Sequence, residues 1–253
     1  MKALKILFLT LFISCTAFAQ DFDFGSNLRF SQPAGSMKRD MNNAFGFTLE
    51  AAKQFKSPIA LGAEFGYQNY GGQTTRQTYT FDDGTTTETN VNVHNDILNF
   101  HVTGKFFFRQ NKNISPYLSG KLGWSFFRTV LTIEDPEDET ACHPLENDVL
   151  QNDNTYSFSA GAGVRIDFNS FFGGMNQQRF YFDLSVHSVQ GGRVKYMNVE
   201  HDPSKQPTPD RDVMAKFINT QSQVIHEHHV GYVYTNVLNM VEYRLGVFCR
   251  VGN

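Results

Sequence analysis

Apolar residues recur at every second position in eight separate segments, the connections between those segments alternate long and short, and large aromatics gather at segment ends. Together these predict an all-β chain: an eight-stranded antiparallel up-and-down transmembrane β-barrel with long extracellular loops and short periplasmic turns. Composition agrees. The 253 residues include 25 Phe, 10 Tyr and 20 Gly, and only 19% are charged, so the chain carries more aromatic surface than a soluble core of this size needs. No segment after residue 20 has the run of about 18 apolar residues that a spanning helix requires. A net charge of −3 leaves no basic face for nucleic acid, and none is expected as a partner.

The first residues read as an export signal. Lys2 and Lys5 form a charged start, Ile6 to Ile13 is apolar, and Ala17-Phe18-Ala19 is an A-x-A cleavage site. The signal peptide is therefore assigned to 1–19 and a single barrel domain to 20–253, with 20 basic and 25 acidic residues in the mature chain. A rival reading makes Phe12-Ile13-Ser14-Cys15 a lipoprotein box with Cys15 lipidated. Export permits a disulfide, but the topology sets Cys142 and Cys249 at opposite ends of a strand, so no bridge is expected.

The segment from Tyr156 to Phe168 separates its faces most cleanly, with Tyr, Phe, Ala, Val and Ile at even positions against Ser157, Ser159, Gly161, Gly163, Arg165 and Asp167. Phe180, Phe182, Leu184 and Val186 alternate with Arg179, Tyr181, Asp183 and Ser185. Val241, Tyr243, Leu245 and Val247 alternate with Glu242, Arg244 and Gly246. Strands are also assigned to Phe22–Phe30, Phe45–Phe55, Ile59–Tyr70, Ile97–Phe108 and Pro116–Phe127. A soluble periplasmic barrel holding an apolar ligand would alternate too, but with its apolar parity inward. Here aromatics such as Phe45, Phe55, Tyr67, Phe106, Phe108 and Phe126 fall at strand ends, as membrane-interface girdles do. The connections run to about 14, 3, 26, 7, 28, 11 and 49 residues, and long outer loops alternating with short inner turns are the membrane-barrel rule.

The eight amphipathic segments, the Pro33-Ala34-Gly35 stretch and the last strand, Arg244-x-Gly246-x-x-Cys249-x-Val251, make the chain resemble small eight-stranded outer-membrane barrels. Among these are the OmpX-like and OmpA-transmembrane-like proteins and the outer membrane protein beta-barrel family of Bacteroidota. The last strand departs from the usual assembly signal, since Phe248 lies on the opposite parity and Gly252-Asn253 replace a terminal Phe. The resemblance implies the outer membrane of a Gram-negative bacterium. It also implies lipid and lipopolysaccharide as surroundings and the barrel-assembly machinery as a partner in biogenesis. It implies no activity and no cofactor.

An eight-stranded barrel has a lumen only wide enough for side chains. The inward parity places Glu50, Glu64, Asp183 and Glu242 against Lys105, Lys121, Arg165 and Arg244, with Asp23, Arg29, Asp167, Arg179 and Arg250 nearer the ends. Such charges must pair. Register sets Arg165 opposite Asp183, and Glu50 opposite Glu64. The second is a like-charge pair that requires Lys121, Lys105 or Arg244 from another strand. A gate is one reading of this network and an ionic plug that holds the barrel's shape is the other.

Function in such a chain is expected in the loops. Gln73 to Val93 is Thr-rich and turns at Asp83-Gly84, a hairpin signal. Thr80, Asp83, Gly84 and Thr87 would then form the tip of a ribbon able to bind an envelope protein or an external surface through its edge. The third loop is acidic, with Glu134, Asp135, Glu137, Asp138, Glu139, Glu146, Asp148 and Asp153, but lacks the spacing of a calcium loop. In the fourth, His226, His228 and His229 offer a partial metal site, without an H-E-x-x-H motif. Ser185 and His187 share a face, but it is the lumen face. With no G-x-S-x-G elbow, a non-enzymatic outer-membrane barrel is favoured over a lipid-modifying enzyme of the same architecture. Its expected role is structural, surface-binding or that of an accessory subunit.

Overall fold

The computed structural model describes residues 22–55, 58–80, 84, 86–109, 113–134, 146–168, 179–200, 202–204, 206–219 and 224–251. The signal segment, Cys15 and Cys142 lie outside these residues, as do Asp135, Glu137, Asp138 and Glu139 of the third loop. Nine strands account for most of the chain: β1 Phe22–Pro33, β2 Ala44–Gln54, β3 Ile59–Thr80, β4 Thr86–Phe107, β5 Ile114–Glu134, β6 Glu146–Asp167, β7 Arg179–Asn198, β8 Arg211–Asn219 and β9 Val224–Val251. Every pairing is antiparallel. β9 returns to β1 with Phe22 opposite Val251 and Pro33 opposite Met240, which closes an eight-stranded barrel of β1 to β7 and β9. β8 is additional and pairs with β9.

Alternation sends one parity of each strand out and the other in. Leu28, Val102 and Leu122 are each about two-thirds exposed on the outside, a density of bare aliphatic surface that water does not tolerate and hydrocarbon does. This belt has a sharp upper limit. Going up the strands, the outward apolar run ends at Gln32 after Phe30, Asn69 after Tyr67, Asp96 beside Leu98, Arg128 after Phe126, Asn154 beside Tyr156 and Asn239 beside Val241. Asn69 pairs with Asp96, and Asp96 with Arg128, so the polar residues stand side by side around the wall.

The strands do not stop there. β3, β4 and β6 are each 22 residues long, about twice the 9–11 residues needed to cross a bilayer. The sequence reading carried the third and fourth strands up into the ribbon but ended the other strands at the membrane boundary and assigned the rest to loops, and it had no place for β8. Instead the ladders continue upward without a break in chain direction, with bulges at Asn69/Gly71, Thr129/Val130 and Gln190/Arg193. β6 leaves β7 above Ser157, which is opposite Gly191. The upper extensions therefore form two sheets, one of β3 to β6 and one of β7, β9 and β8. Val91, Val93, Leu131, Ile133, Met197, Val213, Ala215, Val230 and Val233 pack between them as one buried core.

A second apolar cluster crosses the barrel mouth beneath that core. Tyr70, Ile97, Phe127, Val189, Tyr196, Tyr234, Leu238 and Met240 converge from five strands, and Met37 and Met41 insert from the connection after β1. That connection holds a 3₁₀ turn, Gly35–Arg39. It starts at Gly35 with φ 61°, a left-handed conformation that suits glycine. The turn points Met37, which is fully buried, down into the mouth.

At the lower end the lumen is closed by aromatics. Phe248 fits against Gly25 and Tyr117 against Gly163, and at either glycine an added Cβ would run into the ring. Phe248, which breaks the parity of the usual C-terminal signal, thus serves as an internal stopper.

Candidate functional site

The lumen is packed with paired charges. Arg244 donates to both oxygens of Glu64, from Nη1 at 2.5 Å and Nη2 at 3.0 Å. It also donates to Glu242 Oε2 from Nε at 3.0 Å and Nη2 at 2.6 Å. Arg29 pairs with Glu242 from the other side and donates to Asn99 at 2.7 Å. Lys121 reaches Glu64 at 2.6 Å, and Lys105 reaches Glu50 at 2.8 Å. Glu50 and Glu64 are register partners, as are Arg165 and Asp183, so the like-charge pair is flanked by three cations from β4, β5 and β9.

A second ionic cluster lies lower. Asp23 accepts from Arg165 at 2.6 Å and from Arg250 at 2.7 Å. Asp183 lies 3.9 Å from Arg165 Nε and accepts from the Tyr117 hydroxyl at 2.7 Å. Phe107, Tyr181 and Phe248 surround the Arg165 guanidinium with ring centroids at 4.9, 5.2 and 5.1 Å, and Lys105 lies 4.7 Å from the Phe248 ring centre. Each of these five lumen carboxylates thus has a cation within 4 Å, which offsets the desolvation that burial imposes.

Two histidines complete the wall. His101 Nε2 lies 2.8 Å from Ser157, and His187 Nε2 lies 2.8 Å from Ser119. The sequence reading weighed Ser185 with His187, whereas the structure sets His187 on Ser119, over Gly161 of the intervening strand on the same wall and among buried neighbours. This pair ties β7 to β5.

Above the mouth, Asp40 is the keystone of the 3₁₀ connection. Its carboxylate accepts from the Tyr196 hydroxyl at 2.5 Å and from Asn236 Nδ2 at 2.7 Å, and its carbonyl accepts from Asn198 at 3.0 Å. Burial raises the Asp40 carboxyl above the ordinary aspartate value, although the Tyr196 and Asn236 hydrogen bonds oppose the shift. Burial, together with Asp40 itself, pushes the Tyr196 phenol up, so its hydroxyl stays a donor. A carboxyl that is easier to protonate in the folded state contributes most below its unfolded value, and that contribution is lost as pH rises through the folded value. Asp40→Asn keeps an acceptor oxygen for Tyr196 without the charge. The variant has no carboxyl to titrate, so the acid-side gain in cap stability that wild type shows, and loses as pH rises through the raised Asp40 value, is expected to be absent from it. Hydrogen exchange of residues 193–198 against pH checks this.

The ribbon residues sit at the far end of the β3–β4 ladder, where Tyr79 pairs with Thr87 and Thr80 with Thr86. Gly84 takes φ 87° in the turn. Asp83 and the side chains of Thr80 and Thr87 lie outside the described residues. Beyond Asn69, β3 pairs only with β4 among the described residues, and residues 72–76 are exposed on both faces.

The histidine segment belongs to β9, where His226 is opposite Phe217 and His228 opposite Ala215. The side chains of His226 and His228 lie outside the described residues, and the His229 ring packs on Tyr232 at 4.2 Å. Cys249 is a free thiol.

Asp40, Met37, Tyr196 and Tyr234 were absent from the sequence reading. For Tyr196 the signal was the alternation of Val194 and Tyr196 with Arg193 and Lys195, which marks strand beyond the assumed boundary, whereas Asp40 and Met37 lie in the connection after β1, where no such alternation exists.

No family model matches the chain, and no curated protein matches it. Among solved structures it is similar to Neisserial surface protein A, at 10% identity and a TM-score of 0.47 over 90% of this chain and 96% of that one. It is also similar to a major outer membrane protein from Thermus thermophilus, at 14% identity and a TM-score of 0.42 over 90% and 97%. The attachment invasion locus protein of Yersinia pestis, solved with the heparin analogue sucrose octasulfate, is 15% identical with a TM-score of 0.36 over 90% and 96%.

Proposed function

We propose that this chain is a non-enzymatic protein of a Gram-negative outer membrane, in which a sealed barrel anchors a folded external cap and the cap binds a partner. The observation that carries the reading is the succession of packed layers: the ionic lumen, the apolar mouth and the inter-sheet core follow one another up the same strands. A conduit for solutes has no use for three successive seals, whereas a platform that must hold its shape outside the membrane does. The partner is an envelope protein or an external surface, and the β3–β4 ribbon is the first element to reach it.

Two measurements test this. Purified protein in a planar bilayer is expected to insulate, and a steady single-channel current would overturn the sealed-anchor reading. Replacing residues 77–89 by a two-residue Asn-Gly turn, which keeps Val91 and Val93 in the inter-sheet core, should leave the barrel heat-modifiable in SDS gels and cut co-purification of envelope partners by about tenfold, the scale set by losing a few backbone hydrogen bonds. Undiminished partner recovery would move binding away from the ribbon.

A further inference from the structure

The outer wall carries one feature that anchoring alone does not call for. Across β6, β7, β9 and β1 the apolar belt sinks into a depression of about 810 Å³. Its floor is low because β6 presents Ala162 outward, where the strands around it present Leu184, Val186, Leu28 and Leu245. Its upper end is walled by rings, with Phe30 packed 4.7 Å from Phe45 and 6.1 Å from Tyr243.

Above those rings, beyond Val241 and Ser188, the wall turns polar at Gln32, Asn239 and Gln190, the last two being register partners. Exposed cations stand on either side of this polar stretch. Lys38 and Arg39 belong to the 3₁₀ turn, which is tied over β9 by the Ala34 N–H donating to the Asn239 carbonyl at 2.9 Å. Arg193 and Lys195 are on β7, opposite Val237 and Thr235. Asp153 lies beside Lys195 and its carboxylate accepts from the backbone N–H groups of Asn154 at 2.8 Å and Lys195 at 2.7 Å, so Arg193 is the β7 cation nearer the trough and farther from an acid.

An apolar trough open to hydrocarbon, ending at the polar boundary between two pairs of cations, is complementary to one kind of molecule: an acyl chain with a phosphate at its head. We infer that this face binds a phosphate-bearing lipid of the outer leaflet. One acyl chain lies beside Ala162, and the phosphate sits between Arg193 and Lys195 on one side and Lys38 and Arg39 on the other. The phosphate of a zwitterionic lipid is already matched by its own ammonium and a neutral lipid has no anion, so the lipid selected is net anionic as well as phosphate-bearing. The inference rests on the membrane reading above and gives that surface a defined ligand.

Native mass spectrometry of the protein in a neutral maltoside detergent, with added lipid A or phosphatidylcholine, tests it. Wild type is expected to retain lipid A over phosphatidylcholine. The quadruple variant K38Q/R39Q/R193Q/K195Q and, separately, Ala162→Phe should each lower lipid A retention by about tenfold or more. Both changes are on the surface, and heat-modifiability in SDS gels reports whether each variant still forms the barrel. Equal retention of the two lipids, or undiminished lipid A retention in A162F, overturns the inference. Displacement of lipid A by inorganic phosphate alone also overturns it, in favour of a free-anion site. If the variants fold as barrels with unchanged lipid binding, the membrane reading stands and the lipid site falls. A chain that stays soluble without detergent removes both.

Discussion

Replacing Arg244 by Ala is expected to cost the folded barrel about 3–5 kcal/mol, the range for breaking a buried charge pair from one side. Arg244 makes four hydrogen bonds to two carboxylates on different strands. Its loss leaves Glu64 with Lys121 and Glu242 with Arg29, each short of one cation in a lumen that excludes water. Urea unfolding in detergent micelles, followed by the gel shift between folded and unfolded forms, should show the midpoint falling sharply. Arg244→Lys restores the charge but not the fork that grips both acids, and an intermediate midpoint is expected. A midpoint unchanged in Arg244→Ala would mean that the network does not hold the barrel together.

The second large effect is local. Phe127 is buried at the mouth, with Tyr70 and Tyr196 ring centroids each 6.1 Å away. Phe127→Ala removes a ring from the layer on which the upper sheets rest, and large-to-small changes of this kind cost about 3–5 kcal/mol. Because the ionic lumen below is untouched, the barrel should keep its heat-modifiable form while the cap loosens. Hydrogen exchange is expected to accelerate in residues 193–198 and 232–237, with little change in residues 99–105. Uniform acceleration along the strands would show that cap and barrel unfold as one unit.

The two predictions divide at the boundary where the sequence became hard to read. Within the belt, β5 presents Leu118, Leu122, Trp124 and Phe126 outward and Lys121 and Ser125 inward, and this inside-out alternation is legible because the solvents on the two faces differ so strongly. Past Arg128 the outside is water and the inside is a core, so the rule inverts: Phe127, Leu131 and Ile133 are inward and apolar, on the opposite parity. β4 does the same, with Leu98, Phe100 and Val102 outward but Ile97, Val93 and Val91 inward. A period-two pattern that changes sign looks like a pattern that ends, so the upper parts of β5, β6, β7 and β9 read as loops, and only β3 and β4 were followed upward, by the hairpin signal at Asp83-Gly84. The lumen charges were legible because register alone brings Glu50 to Glu64 and Arg165 to Asp183. Which cation reaches which acid across the lumen depends on strand stagger, which no single strand records. Asp40 could not be found this way at all, since its partners Tyr196 and Asn236 come from strands the reading had not extended that far.

The unbroken run of β3 and β4 from lumen to ribbon tip also fixes a distance. From Asn69, at the polar boundary, to Thr80, the last residue paired with β4, eleven steps of about 3.3 Å make a rise of about 36 Å along the strand. β5 runs beside β4 for about the lower two-thirds of that height, as far as Asn90, which is opposite Glu134 on one side and Arg76 on the other. The ribbon therefore works as a ruler, rigid where it is double-flanked and thin only at the end. Whatever engages its tip is held at a set stand-off from the membrane plane, clear of the headgroups and of any neighbour whose loops are short.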